Sequence, residues 1–163
     1  MKEALNSEKR KVHFISLGCP KNLVDSEMML GSLSKSNYEV TDSPEDAETI
    51  IINTCGFIED AKKESISTIF EMAKMKEEGK LNQLVVAGCL TQRYKEDLVS
   101  ELPEADVFVG SGEFQNIVDI LEKNRSDKSQ KRFFNLPTFL QQENTPRLNS
   151  QLPHRAYLKI SEG

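Results

Sequence analysis

The sequence predicts an α/β fold, a flavodoxin-like three-layer domain with a five-stranded parallel sheet. Short runs of apolar and β-branched residues alternate, along residues 11–124, with longer segments whose apolar residues recur at helical spacing. The apolar runs are continuous, which is typical of parallel strands covered by helices on both faces. We therefore expect the strand order 2-1-3-4-5, whose switch point lies between the first and third strands.

Strand and helix signals follow one another in a regular order. The predicted strands are Val12–Leu17, Tyr38–Thr41, Thr49–Thr54, Leu84–Ala87 and Asp106–Val109. Between them, Asp25 or Ser26 and Thr91 are expected to cap helices, Ser43-Pro44 to begin one, and Gly79 to end one. The predicted helices are Asp25–Ser36, a short helix from Ser43, Ile58–Glu78, Thr91–Leu102 and Glu113–Lys123.

The ends of the sequence are organised differently from its centre. Residues 1–10 are expected to be a disordered arm, and residues 125–153, which are rich in Asn, Gln and Pro without periodicity, to be a linker. Within that linker, Arg132–Leu136 is a candidate edge strand. Ala156–Ile160 has the pattern of a new strand, so residues 154–163 are expected to begin a further domain that this sequence truncates.

Composition excludes several classes of protein. The chain has 163 residues, of which 37% are hydrophobic and 29% charged, and contains no apolar run long enough for a membrane helix and no secretory signal. Its net charge of −5 argues against direct nucleic-acid binding by this part of the protein. Three cysteines are too few for a disulfide framework, and we expect a cytoplasmic location.

The strongest chemical signal is the position of the three cysteines. Cys19, Cys55 and Cys89 each follow a predicted apolar strand, and each is next to a glycine. In the predicted order these three strands are neighbours, so the thiols should converge at the carboxyl edge of the sheet. Convergent thiolates favour a metal cluster. Buried core cysteines and a redox thiol pair are the alternatives.

Residues beside the cysteines are candidate neighbours of a cluster or a substrate. They are Lys21, Asn22, Asn53, Thr54, Gln92 and Arg93. The alternative for each is structural: a loop-to-helix turn, hydrogen bonds to the backbone, or an exposed helix surface. His13 could act as a fourth ligand, but a position inside the first strand should direct it sideways from the site.

Three motifs carry a resemblance to a known family. SLGCPKNLVDSE (16–27), INTCGFI (52–58) and VAGCLTQRY (86–94) resemble the first domain of the radical S-adenosylmethionine methylthiotransferases. The form GCPKNLVDSE resembles the branch that modifies an aspartate of ribosomal protein S-twelve. The tRNA-modifying branch usually has glutamine and methionine where Pro20 and Lys21 stand here.

The resemblance implies a function for the domain and for a longer enzyme. Cys19, Cys55 and Cys89 would hold an auxiliary 4Fe–4S cluster with one open iron. A second 4Fe–4S cluster and S-adenosylmethionine would be bound by a radical domain, which this sequence lacks. The longer enzyme would convert a C–H bond of the aspartate β-carbon to C–S–CH₃, and this fragment alone would be inactive.

Two other functions are consistent with parts of the pattern. A tRNA methylthiotransferase of the same family would share the three cysteines. A non-enzymatic flavodoxin-like binding module would share the fold, but it would need acidic residues or a phosphate loop after the first strand, where Gly18-Cys19-Pro20 stands.

Overall fold

The structure is a computed structural model that describes residues 8–127, 129–136, 138 and 144–161. A parallel sheet occupies its centre and helices cover both faces, as the sequence predicts. Within these residues no helix is both long and apolar enough to cross a membrane.

The sheet has six strands in the order β2-β1-β3-β4-β5-β6, and every neighbouring pair is parallel. The predicted order 2-1-3-4-5 is therefore confirmed, with one strand added at the edge. The strands are β1 (Arg10–Ser16), β2 (Tyr38–Val40), β3 (Thr49–Thr54), β4 (Gln83–Gly88), β5 (Val107–Gly110) and β6 (Lys131–Phe133). The added strand falls within the segment expected to be a linker and overlaps the candidate edge strand at Arg132–Leu136.

Four helices form the outer layers. They are α1 (Pro20–Ser34), α2 (Glu59–Glu77), α3 (Cys89–Glu101) and α4 (Ile117–Ser126). Apolar side chains of α1 and α4 form one buried cluster with one face of the sheet, and those of α2 and α3 form a second cluster with the other face. Every residue of β3 and β4 is buried, because these central strands are covered on both sides.

Two helices begin earlier than predicted, and the difference matters for the site. Helix α1 begins at Pro20 with Cys19 as its N-cap, because proline suits the first helical position. The expectation that Asp25 or Ser26 caps this helix is wrong, since both lie buried inside it. Helix α3 begins at Cys89, so Thr91 is not its cap either. Two of the three cysteines therefore lie at helix N-termini.

Three further boundaries differ from the prediction. The helix expected from Ser43 is a single 3-10 turn, Pro44–Asp46. The last predicted helix is divided into a 3-10 turn, Phe114–Asn116, and α4. Residues 154–161 contain no strand, contrary to the expectation at Ala156–Ile160, because this segment pairs its side chains with α1 instead of its backbone with a neighbouring strand.

The ends of the chain are only partly described. Of the arm predicted over residues 1–10, the first seven lie outside the described residues, and β1 already begins at Arg10. The division of the chain into a domain, a linker and the start of a second domain stays a prediction.

Gly88 ends β4 with a backbone conformation that only glycine adopts readily. Its φ is 100° and its ψ is −158°, and a Cβ there would lie 2.3 Å from Asn53 Oδ1 and 2.7 Å from the Thr54 carbonyl oxygen. Gly79 also has a positive φ, 73°, but a Cβ there would have no atom within 4 Å. The two glycines thus share a positive φ and differ in the space around them.

We expect Gly88→Ala to lower the free energy of unfolding by at least about 3 kcal/mol, because it adds a steric clash to backbone strain. The matched variant Gly79→Ala carries strain alone and should cost about 1 kcal/mol. Urea denaturation followed by circular dichroism measures both. Equal costs for the two variants would show that the close packing at the end of β4 does not constrain the fold.

Candidate metal centre

The three cysteines lie at the carboxyl ends of three adjacent strands. In the sheet register, Ser16 of β1 is opposite Asn53 of β3, and Asn53 is opposite Ala87 of β4. These strands therefore end side by side, and each is followed within three residues by a cysteine. This is the edge at which open α/β sheets bind ligands.

Each cysteine is held by a different local structure. Cys19 is exposed, and its carbonyl oxygen accepts the first bond of α1, from the Leu23 N–H at 2.9 Å. Cys55 is buried in the loop between β3 and α2, where its N–H donates to Ser65 Oγ at 3.4 Å. Cys89 is partly buried in the first turn of α3. The thiols therefore range from exposed to buried around one edge.

A glycine lets two of the cysteine-bearing segments approach closely. A Cβ on Gly56 would lie 2.8 Å from the Cys89 carbonyl oxygen and 2.9 Å from the Leu90 nitrogen. These are backbone atoms, which cannot move aside as the end of a flexible side chain could. A residue larger than glycine would therefore not fit at position 56. The loop that carries Cys55 is thus packed against the helix start that carries Cys89.

The thiol of Cys89 is affected by the other two cysteines. Burial raises its pKa above the ordinary value, and the nearby Cys19, Cys55 and Asp25 raise it further. The positive charge of Lys21 acts in the opposite direction. An effect of both Cys19 and Cys55 on the Cys89 thiol requires that each of them lies near it. Burial and the neighbouring acidic groups therefore favour the protonated form of the Cys89 thiol.

The donor set fits a cluster better than a single ion. Among the described residues, no group of three or more His, Cys, Asp or Glu side chains is arranged to hold one metal ion. In an iron–sulfur cubane each thiolate binds its own iron, so cysteines on three adjacent strand ends would not need to converge on a single ion. His13 is not a candidate ligand, because its Nδ1 lies 2.9 Å from the Thr41 carbonyl oxygen, at the β1–β2 side of the sheet.

Three of the predicted neighbours have structural roles. The Asn53 amide donates to the Asn22 carbonyl oxygen at 3.0 Å and to Ser26 Oγ at 2.8 Å, and Asn22 Nδ2 donates to the Thr54 carbonyl oxygen at 2.9 Å. Thr54 Oγ1 donates to the Ala87 carbonyl oxygen at 2.6 Å. These donors join α1, β3 and β4 beneath the cysteines, so they are not directed at a cluster.

The other three neighbours differ in position. Lys21 lies close enough to Cys89 to lower its pKa. Gln92 packs over Gly110, and its Oε1 is buried with no hydrogen-bond partner among the described residues. The Arg93 guanidinium lies 5.3 Å from the centre of the Phe57 ring, which is 70% exposed. Lys21 is thus the predicted neighbour with an electrostatic link to a candidate ligand.

Sequence reasoning missed two acidic residues of the first motif. Glu27 and Asp25 are buried in α1, with 1% and 5% of their surfaces exposed. Their cationic partners lie more than 100 residues away in the sequence, in a segment with no periodic pattern. Only the occurrence of two acids among apolar positions of a helix could have indicated a buried pairing.

The fold and the site define a class of protein: a doubly wound α/β domain in which a cysteine follows each of three adjacent parallel strands. A family profile, described as uncharacterized protein family UPF0004, matches residues 11–110, and the chain belongs to that family.

Curated relatives extend this result over the described chain. The chain is 66% identical, over 157 residues, to the ribosomal protein uS12 methylthiotransferase RimO of Bdellovibrio bacteriovorus, covering 96% of this chain and 34% of that protein. It is 50% identical to the protein of the same name from Geobacter sulfurreducens, covering 98% of this chain and 36% of that protein. The resemblance to methylthiotransferases is confirmed, and the chain spans about a third of the length of these relatives.

We expect the alkylation of Cys89 by iodoacetamide to require a higher pH than an ordinary thiol needs, because only the thiolate reacts and burial raises the Cys89 pKa. Lys21→Met should move the Cys89 rate profile to still higher pH, because it removes the charge that favours the thiolate. Peptide mass spectrometry after alkylation at a series of pH values gives the profile.

Lys35→Met is the matched control, since Lys35 is an exposed lysine at the other end of α1. It should leave the profile unchanged. A profile that does not respond to Lys21→Met would contradict the placement of Lys21 beside the Cys89 thiol.

Proposed function

We propose that this chain forms the auxiliary-cluster domain of a methylthiotransferase that modifies ribosomal protein uS12, with Cys19, Cys55 and Cys89 holding a 4Fe–4S cluster. The observation that carries this proposal is that the three cysteines follow adjacent strand ends, where Cys19 and Cys55 act electrostatically on the Cys89 thiol. The names of the relatives, which cover the whole described domain, support the substrate.

The residues of this chain would bind and orient. Cys55 is the buried anchor of the site and Cys19 its exposed side. Ligation requires the Cys89 thiol to lose its proton, and Lys21 favours that loss because its charge offsets part of the negative charge that three thiolates bring together. When bound, a cubane with three protein ligands supplies one iron that is open to an exogenous sulfur ligand.

The complete reaction needs parts that lie outside this chain. We propose that the longer protein binds a second 4Fe–4S cluster and S-adenosylmethionine, which supply the radical and the methyl group. The product would be an aspartate whose β-carbon carries a methylthio group, formed in the cytoplasm, where ribosomal proteins reside. The part of this chain in that reaction is to present the sulfur-bearing site.

We expect anaerobic reconstitution of this chain with iron and sulfide to yield about four irons and four sulfides per chain. Changing Cys19, Cys55 or Cys89 to Ala should each reduce the bound iron to less than about half, because each change removes one of three ligands. Iron and sulfide assays with the visible absorption spectrum measure the loading. Circular dichroism confirms that each variant is folded.

His13→Ala is the control for this series. His13 was the remaining candidate ligand, and its contact with Thr41 places it away from the cysteines. It should bind the same amount of iron as the unchanged chain. Unchanged loading in any of the three cysteine variants would exclude that residue as a ligand.

In the longer enzyme, we expect Cys55→Ala to separate the two halves of the reaction. The second cluster would use cysteines of another domain, so about half of the iron and the reductive cleavage of S-adenosylmethionine should remain. Methylthiolation of uS12 should be lost. Iron content, 5′-deoxyadenosine formation and product mass are measured on the same preparation, and normal methylthiolation would show that Cys55 is only core filler.

A further inference from the structure

Residues 144–161, which we name the strap, lie against α1. Within α1 the Glu27 carbonyl oxygen accepts a backbone hydrogen bond from Leu148 at 2.9 Å. A Cβ on Gly31 would lie 2.5 Å from the Arg147 nitrogen, so the helix and the strap are in direct backbone contact there. The Tyr157 ring packs against the buried cluster formed by α1 and α4. The strap is therefore part of the packed structure.

The first buried acid of α1 binds the start of the strap through both of its oxygens. Arg147 donates to Glu27 Oε2 from Nε at 2.8 Å and from Nη2 at 2.6 Å, while the Ser150 N–H and hydroxyl donate to Oε1 at 2.8 and 2.7 Å. Burial alone would raise the pKa of Glu27, but these hydrogen bonds and the Arg147 charge lower it overall. The carboxylate is thus held ionised inside the packed structure.

The second buried acid binds the end of the strap. Lys159 Nζ lies 2.6 Å from Asp25 Oδ1, and only 8% of each side chain is exposed. The same ammonium group lies 5.1 Å from the centre of the buried Phe114 ring. Arg147 also donates to the Tyr157 carbonyl oxygen at 2.8 Å, which connects the two attachment points.

The end of the attached strap lies beside the first turn of α1, the helix whose N-cap is Cys19. A cavity of about 200 Å³ lies between the first turn of α1 and the end of the strap. Pro20, Lys21 and Val24 form one wall, and Tyr157–Ser161 form the other. Pro20 directly follows Cys19, so this cavity adjoins the helix turn that begins after that cysteine.

We propose that Glu27 and Asp25 are positioning residues of the cysteine site: through buried ion pairs with Arg147 and Lys159 they hold the strap across α1, so that Tyr157–Ser161 shield the side of Cys19. Burying two carboxylates is costly unless each is paired, and removing one partner of a buried pair is strongly destabilising. Pairing with the strap therefore offsets the cost of burying these two acids. The relevance of this shield to catalysis rests on the proposed function, whereas the attachment itself does not.

Hydrogen exchange of the iron-free chain tests the attachment. In Glu27→Gln and in Lys159→Met, the amides of Leu148 and Ser150 should exchange at least about tenfold faster, while amides of β3 and β4 keep their rates. The double variant Glu27→Gln/Arg147→Met leaves no unpaired charge and should fold, with the same local loss of protection. Arg147→Lys keeps the charge and should restore part of the protection that Arg147→Met loses.

Glu78→Gln is the matched control, because Glu78 forms an ion pair with Lys80 at the surface, where both side chains are more than half exposed. It should change no exchange rate. Unchanged exchange at Leu148 and Ser150 in the Glu27 and Lys159 variants would overturn the proposal. An equal loss of protection in β3 and β4 would also overturn it, since the acids would then support the whole fold.

Thiol labelling tests the shield at a fixed pH. With a bulky neutral maleimide, releasing the strap should raise the rate at Cys19 by at least about threefold relative to the rate at Cys55. An unchanged ratio in variants whose strap exchanges faster would overturn the shielding role. Both measurements use the iron-free chain, so a failure of the cluster proposal would leave their outcome unaffected.

Discussion

The buried side chain of Asn53 is the interaction on which the arrangement of the site depends. It lies at the end of β3 and donates to both Asn22 and Ser26, while Asn22 returns a hydrogen bond to Thr54. These bonds join the end of the central strand to the first turns of α1, whose N-cap is Cys19. Both amides are buried and donate across the boundary between β3 and α1, so together they fix the start of the helix relative to the Cys55 loop. The absence of a side chain at Gly88 leaves the space in which the Asn53 amide sits.

Periodicity was enough to predict the parallel sheet, its strand order and the convergence of strand ends, because continuous apolar runs leave little choice of architecture. It was not enough to locate the starts of α1 and α3. Capping rules favour Ser, Thr, Asp and Asn, whereas here Cys19 and Gly88 occupy the N-cap positions without side-chain caps. The pairing of Glu27 with Arg147 joins residues distant in sequence, and no local pattern encodes such a contact. The segment that contains Arg147 has no periodic pattern, which is why the sequence predicts a linker there.

The site and the strap show how burial determines which polar groups are available for chemistry. Asn22, Asn53 and Thr54 lie next to the cysteines in the sequence, but their donors are engaged by backbone and hydroxyl oxygens. Lys21 follows Cys19 by two residues and acts on the Cys89 thiol through its charge. The acids of the same motif point into the protein and bind the strap. One short motif thus supplies a thiol, a cation beside it, and two anchors for the segment that borders it.

The central claim is that Cys19, Cys55 and Cys89 serve one centre. The most direct measurement is a crystal structure of the anaerobically reconstituted chain, with diffraction data collected at the iron absorption edge. Our account predicts one compact anomalous peak at the carboxyl edge of the sheet, with density continuous to all three sulfur atoms. Iron bound elsewhere, or bound by only one or two of these cysteines, would contradict it.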